Sequence, residues 1–468
     1  MFIYPLDWEL YGEIQFSLSS AVLLSAFLSL GSHSLANKYF PYFKSTNTKG
    51  FLSLLFIYST LNIILVSLLL YIFKTPFSTF LSIMGFNVAK IKENLFIIAP
   101  IGFLLVYISF LRSFTFNYGR IVYPDIISNF SLKFLVPTII VLSHFSILTY
   151  SLAGWILVLF YFIIVFTLMI YLNTLNGLDL KYGVLKRISI KKHFEMLTYM
   201  LYGAMNQVGS ILVYKIDIVM IGLLLNSTKV GYYSIFLFLS VVIEIPTKAV
   251  FQITAPLISK AFDESNLKEI HGIYKSSSIN LYIVGIILFT VTWLNIETFF
   301  VLMTNGNDLV IYKSVFLLLA ITKLIDMITS VNLSIISYSK YFKVNTLFIV
   351  VLAFLNILLN IFFINKYGII GAAISTCLSM LMYNTLKTAF IIIKFKMHPF
   401  SKSIVIMTLF LSAVLFLPFL FPTIFKSILF SALISTLLIL GFLIIIYKFK
   451  YSPEINKVLD KYLSKILH

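Results

Sequence analysis

The chain has 468 residues, 60% of them hydrophobic and 11% charged, with a formal net charge of +18 and a mean hydropathy of +1.01. Soluble domains lie nearer ~45–50% apolar and ~25% charged. No polar stretch here is long enough to build one, so composition excludes an enzyme with a large soluble domain. The bases sit in short clusters between apolar runs, as loops obeying the positive-inside rule do, and not as a nucleic-acid surface.

A helix crossing a bilayer needs ~20 mostly apolar residues. Taken in chain order, candidate spans fall near 13–33, 51–73, 94–116, 127–147, 150–172, 198–222, 232–254, 276–296, 311–335, 344–364, 369–393, 402–424 and 427–447. Uniform apolar runs without alternating polarity exclude a β-barrel. The reading is therefore an all-α polytopic membrane protein with about 13 transmembrane helices. The first base is Lys38, so the N-terminus has no basic n-region of a signal peptide. The single cysteine, Cys377, excludes an intrachain disulfide, and six scattered histidines signal neither a metal site nor a cofactor.

Sorting Lys and Arg by alternate connections puts 24 on one side and 7 on the other, with Lys133, Lys215, Lys248 and Lys323 inside spans. The richer side, which includes residues 173–196 and the C-terminal tail, is expected in the cytoplasm. An odd number of spans then leaves the N-terminus outside.

The chain repeats itself. Leu6–Ser19 and Leu225–Phe238 each run from a polar loop through a glycine into an apolar helix, and Gly12 and Gly231 are 219 residues apart. Gly154 and Gly371, in YSLAGW and YGIIGA, are 217 apart. Two tandem lobes follow. In this register the counterpart of 198–222 lies before Met1, so the first lobe is expected to lack its first helix. The expected organisation is an N-terminal lobe of five helices (1–175), a cytoplasmic linker (176–195), a six-helix lobe (196–397), a terminal helix pair (398–448) and a basic cytoplasmic tail (449–468).

The stretch Tyr214–Phe262 carries a motif set: Asp217, Ile221-Gly222, Val230-Gly231-Tyr232-Tyr233-Ser234, Pro246 and Pro256-Leu257-Ile258-Ser259. With KYGIIGAAISTCLS at Lys366–Ser379, it resembles Wzx-type polysaccharide flippases of the multidrug/oligosaccharidyl-lipid/polysaccharide exporter superfamily. The resemblance spans nearly the whole chain. It implies 14 helices in two six-helix lobes plus a final pair, from which this chain departs by beginning in the loop after the first helix. It also implies movement of an undecaprenyl-diphosphate-linked oligosaccharide between leaflets of a bacterial cytoplasmic membrane. A polysaccharide polymerase and chain-length machinery are the protein partners implied. The family has no catalytic residues to carry over.

A charge at the bilayer centre costs ~2.5–3.5 kcal/mol on insertion scales, so it is paired or faces water. Glu244, Lys248 and Gln252 follow i, i+4, i+8 spacing and spread over about 80° of one helix face, with Pro246 and Pro256 expected to bend that helix. They form either a substrate-facing stripe or a self-satisfied Glu244–Lys248 pair. Asn206 and Asp217 share a face, within about 20°, which Lys215 does not. Asp217 is expected on the cavity between the lobes, and Lys215 paired to a neighbouring helix. Lys323 and Asp326 are three apart and expected to pair locally. Asn345, Asn356 and Asn360 are expected to act as interhelical glue. Lys248 and Lys323 are the cations expected to hold a diphosphate.

Two other functions compete. A multidrug cation exporter of the same superfamily would need an acidic cavity, against four lysines within the spans. An enzyme of polysaccharide assembly would need a large extracytoplasmic loop with catalytic groups. The longest outer loop, about 74–93, holds one acid, Glu93.

Overall fold

In the computed structural model, residues 3–45, 50–175, 189–422, 425 and 427–467 are described. Among the described residues every apolar span is helical, because an apolar segment in lipid must satisfy its own N–H and C=O groups. Twelve helices among the described residues are long and apolar enough to span a membrane, and a bent pair makes a thirteenth. They end where the sequence supplies caps. Asp7 accepts from Leu10 N–H at 2.9 Å, Asn87 from Lys90 N–H at 3.2 Å, and Asn266 from Glu269 N–H at 3.1 Å.

Contacts divide the chain into two compact units, Met1–Tyr232 and Tyr233–His468. The first unit holds α1 (Trp8–Ser29), an amphipathic α2 (Ser32–Ser45), α3 (Phe51–Ile72), a short α4 (Lys74–Ile83), α5 (Val88–Phe116), α6 (Val122–His144), α7 (Tyr150–Thr174) and α8 (Ile190–Leu224). It also takes the first residues of α9 (Ser227–Asp263). A π-helical stretch, Ile126–Phe130, lies within α6.

The boundary falls well after the 195/196 division read from the sequence, because α8 packs on α1 and α2. Small residues allow that approach. A Cβ on Gly222 would strike the Phe16 ring, and one on Gly203 would lie 2.8 Å from Ser34 Cβ. Ser29 Oγ donates to Gln207 Oε1 at 2.9 Å, and Asn87 N–H donates to the Leu223 carbonyl at 2.8 Å. Among the described residues α8 thus supplies the first unit with a sixth span, beside α1, α3, α5, α6 and α7. Most of the 176–195 linker lies outside the described residues.

The second unit contains the rest of α9, α10 (Leu267–Val301), α11 (Lys313–Thr329), α12 (Asn332–Tyr338), α13 (Phe342–Tyr367), α14 (Ile369–Phe395), α15 (Lys402–Leu420), α16 (Ile428–Phe449) and α17 (Pro453–Leu467). The α9 helix runs unbroken through Pro246 and Pro256. Between α11 and α12 the axis bends by 48°, at Ser330 with φ +43°. α13 and α14 form a tight hairpin in which a Cβ on Gly371 would collide with the Phe363 carbonyl.

The terminal pair, α15 and α16, docks on α10. Tyr282 Oη and Thr408 Oγ1 share a 2.9 Å bond, Trp293 Nε1 donates to the Leu415 carbonyl at 3.2 Å, and Asn295 Nδ2 to Ser435 Oγ at 3.2 Å. The outward faces of α3, α7 and α16 carry exposed Leu65, Leu68, Phe162, Phe166, Leu433 and Leu437. So much exposed apolar surface belongs in lipid. The protein is a multi-pass membrane protein.

Candidate functional site

The second unit carries a buried ion pair between helices. Lys323 on α11 reaches Glu244 on α9, with side chains only 9% and 14% exposed. The sequence expected local pairs instead, Glu244 with Lys248 and Lys323 with Asp326. The four-residue reach to Lys248 is not used, and Lys248 is exposed on the same helix. Two oppositely charged groups withdrawn from water prefer each other to a pairing that leaves one of them buried alone. Gln252 is exposed two turns beyond Glu244.

One turn beyond Lys323, Asp326 belongs to a second group. Its Oδ1 accepts from Asn384 Nδ2 at 3.2 Å, and Asn384 Oδ1 accepts from Thr329 Oγ1 at 3.1 Å. Asp326 also acts electrostatically on Lys387, which lies 4.0 Å above the Tyr383 ring. Next along α14, Thr388 Oγ1 accepts from Asn332 Nδ2 at 3.0 Å, and Asn332 accepts from Tyr274 Oη. A polar stripe on α14, made of Tyr383, Asn384, Lys387 and Thr388, thus faces the bend between α11 and α12. Lys387 is 4% exposed.

The first unit holds a third charged group that sequence reasoning missed. Glu13 on α1 pairs with Lys90 on α5 at 3.1 Å, and Lys90 is 7% exposed. Ser227 bridges them, accepting from Lys90 Nζ at 2.6 Å and donating to Glu13 Oε1. One turn along α5, Asn94 Oδ1 accepts from Ser17 Oγ at 3.0 Å and from Tyr150 Oη. The available signal was Lys90 and Asn94 at i, i+4 just ahead of an apolar run, with Glu13 inside another.

The remaining candidates are separate. Asp217 is buried in α8. Asn206 is exposed and donates to the Tyr202 carbonyl at 3.4 Å. Lys215 is half-buried, with no ion pair among the described residues. Asn345, Asn356 and Asn360 are all buried on α13, where Asn360 Nδ2 donates to Asn356 along the helix, so this bond does not cross between helices. Outside the spans, burial pushes the His33 imidazole below its usual value, against a hydrogen bond with Gln207.

No family model matches the chain, and no curated protein matches it. Among solved structures it is similar to the lipid II flippase MurJ in an inward closed conformation. The TM-score is 0.68 and the identity 16%, over 95% of this chain and 97% of that one. It is also similar to the inward-facing conformation of a multidrug resistance MATE family transporter of the MOP superfamily. There the TM-score is 0.56 and the identity 12%, over 88% of this chain and 93% of that one. At these identities the likeness is one of fold.

Proposed function

We propose that this protein is a flippase that moves a lipid-linked oligosaccharide, carried on undecaprenyl diphosphate, across the bacterial cytoplasmic membrane for surface polysaccharide assembly. The observation that carries the reading is the fold it shares, over nearly the full length of both chains, with a lipid II flippase. The Wzx-type motifs of Tyr214–Phe262 support it from the sequence side. Transport proceeds by alternating access, as in other transporters built from repeats.

In this account Glu244 holds Lys323 between cycles, and the diphosphate competes with that carboxylate for the ammonium. Lys248, exposed one turn from Glu244, supplies a second cation. Gln252 and Asn206 offer amide partners for sugar hydroxyls. Asp326 acts through Asn384, which holds it, and positions α11, while Asp217 stays buried in α8. The cytoplasmic C-terminus follows from the lysine distribution.

The MATE likeness supports a second reading, export of cationic drugs. Expression in a flippase-null host separates the two. Restored surface polysaccharide supports the proposal, and drug resistance without polysaccharide supports the rival.

A further inference from the structure

On the side of the first unit that the lysine distribution assigns to the cytoplasm, α2 and α8 enclose a cleft of about 570 Å³. Its walls carry Lys38 and Tyr39 from α2 and Lys191, Glu195, Tyr199 and Tyr202 from α8. Lys38 Nζ stands 3.8 Å from the Tyr199 ring centroid. Lys192 lies beside the cleft, 5.4 Å from the Tyr39 ring and 5.0 Å from the Tyr42 ring, and pairs with Glu195 at 2.9 Å.

The charge balance is uneven. Among the described residues Glu195 is the one acid lining the cleft; it accepts from Lys192 and is also acted on by Lys191 and Lys38, so the cations outnumber the acid. A ring face steadies an ammonium without neutralising it, so Lys38 stays available to an anion. Burial pushes the Tyr39 phenol up, against the pull of Lys192. Along α8, Phe194, Leu197, Leu201 and Met205 are exposed at spacings of three and four, an apolar stripe running from the cleft. Cations over aromatic rings at the head of an apolar stripe match a molecule with a phosphate head and a hydrocarbon tail.

We infer that the α2–α8 cleft binds the phosphate head of a lipid, with Lys38 and Lys191 on the phosphate and the tail along the α8 stripe. Two sources share this chemistry, a bulk anionic phospholipid and a polyprenyl diphosphate. Assigning the second rests on the proposed function, whereas the phosphate site itself does not.

The test uses the full-length protein in nanodiscs of neutral lipid. Binding of phosphatidylglycerol, undecaprenyl diphosphate and inorganic diphosphate is measured for the native protein and for Lys38→Gln, Lys191→Gln. A control, Lys457→Gln, Lys461→Gln, removes the same charge from α17. Loss of phosphate-lipid affinity by about tenfold or more in the first double variant, with the control unchanged, is the expected result. Equal loss in both variants, or none in either, overturns the site. Monodispersity on gel filtration and rescue by Lys38→Arg, Lys191→Arg exclude misfolding. Preference for undecaprenyl diphosphate, with competition by inorganic diphosphate, assigns the carrier as ligand. Equal binding of both lipids assigns bulk phospholipid and keeps the site. Absence of transport by the native protein would refute the flippase reading and leave this binding result standing.

Discussion

Gly12 and Gly231, the paired glycines of the internal repeat, lie face to face in the first unit. A Cβ on Gly12 would run into the Ser227 carbonyl and come within 3.1 Å of the Gly231 nitrogen. One on Gly231 would stand 2.8 Å from the Trp8 carbonyl oxygen. Trp8 and Tyr232 meet edge to face beside them, with centroids 4.9 Å apart. The two copies of one motif therefore pack against each other, and the contact depends on having no side chain at either glycine.

That contact predicts a steep response to added volume. Gly12→Val and Gly222→Leu should each lower stability by about 1–3 kcal/mol or more, because backbone and the Phe16 ring must move. Gly441→Leu, where a Cβ meets nothing within 4 Å, is the control. Thermal unfolding of the detergent-solubilised proteins reads the difference. Equal shifts in all three would show that neither the start of α9 nor α8 depends on close packing against α1.

Glu244 and Lys323 should behave as a coupled pair. Lys323→Met alone strands a buried carboxylate and should cost about 3–5 kcal/mol, while Glu244→Gln, Lys323→Met should recover most of it. A double-mutant cycle measured by unfolding shows the coupling. Additive losses would mean the two residues act separately. The cycle also bears on why sequence reading missed the pairing across helices. Both charges are visible inside apolar runs, but which way each helix turns is decided by packing against its neighbours. Helix spacing alone favours the local pairs Glu244–Lys248 and Lys323–Asp326.

Acid should weaken the first unit through His33. Burial holds its imidazole below the ordinary value near ~6.5, so the unfolded chain takes up the proton first as pH falls. The neutral imidazole's contribution is fully present above the unfolded value and is lost as pH drops through the folded one. The melting temperature of the native protein should fall more between pH 7.5 and pH 5 than that of His33→Gln. Parallel falls would remove His33 from the acid response.

Topology is open to direct reading. Reporters placed after Lys192 and after Leu467 should behave as cytoplasmic, and one at Gly85, between α4 and α5, as external. An external signal at either of the first two would overturn the orientation. The spans themselves were legible because lipid demands long apolar runs, and the structure extends most of them by a few residues of polar helix end. Lys90 and Lys387 were not legible as buried. A lysine near the end of a span reads the same whether it snorkels to water or turns inward to Glu13 or Tyr383. The packing of α8 on α1 was hidden for a similar reason, since a glycine in a sequence does not say which ring or carbonyl fills its space.

The most direct measurement of the flippase claim is movement of the lipid itself. The purified protein is reconstituted in liposomes containing a fluorescent undecaprenyl-diphosphate oligosaccharide, and a membrane-impermeant reductant is added outside. The account predicts that protein-containing vesicles expose the inner-leaflet label to bleaching while empty vesicles protect it. It also predicts slower exposure with Lys248→Ala, Lys323→Ala at equal protein content. Protection as complete as in empty vesicles, alongside transport of a cationic dye, would contradict the account and favour the drug exporter.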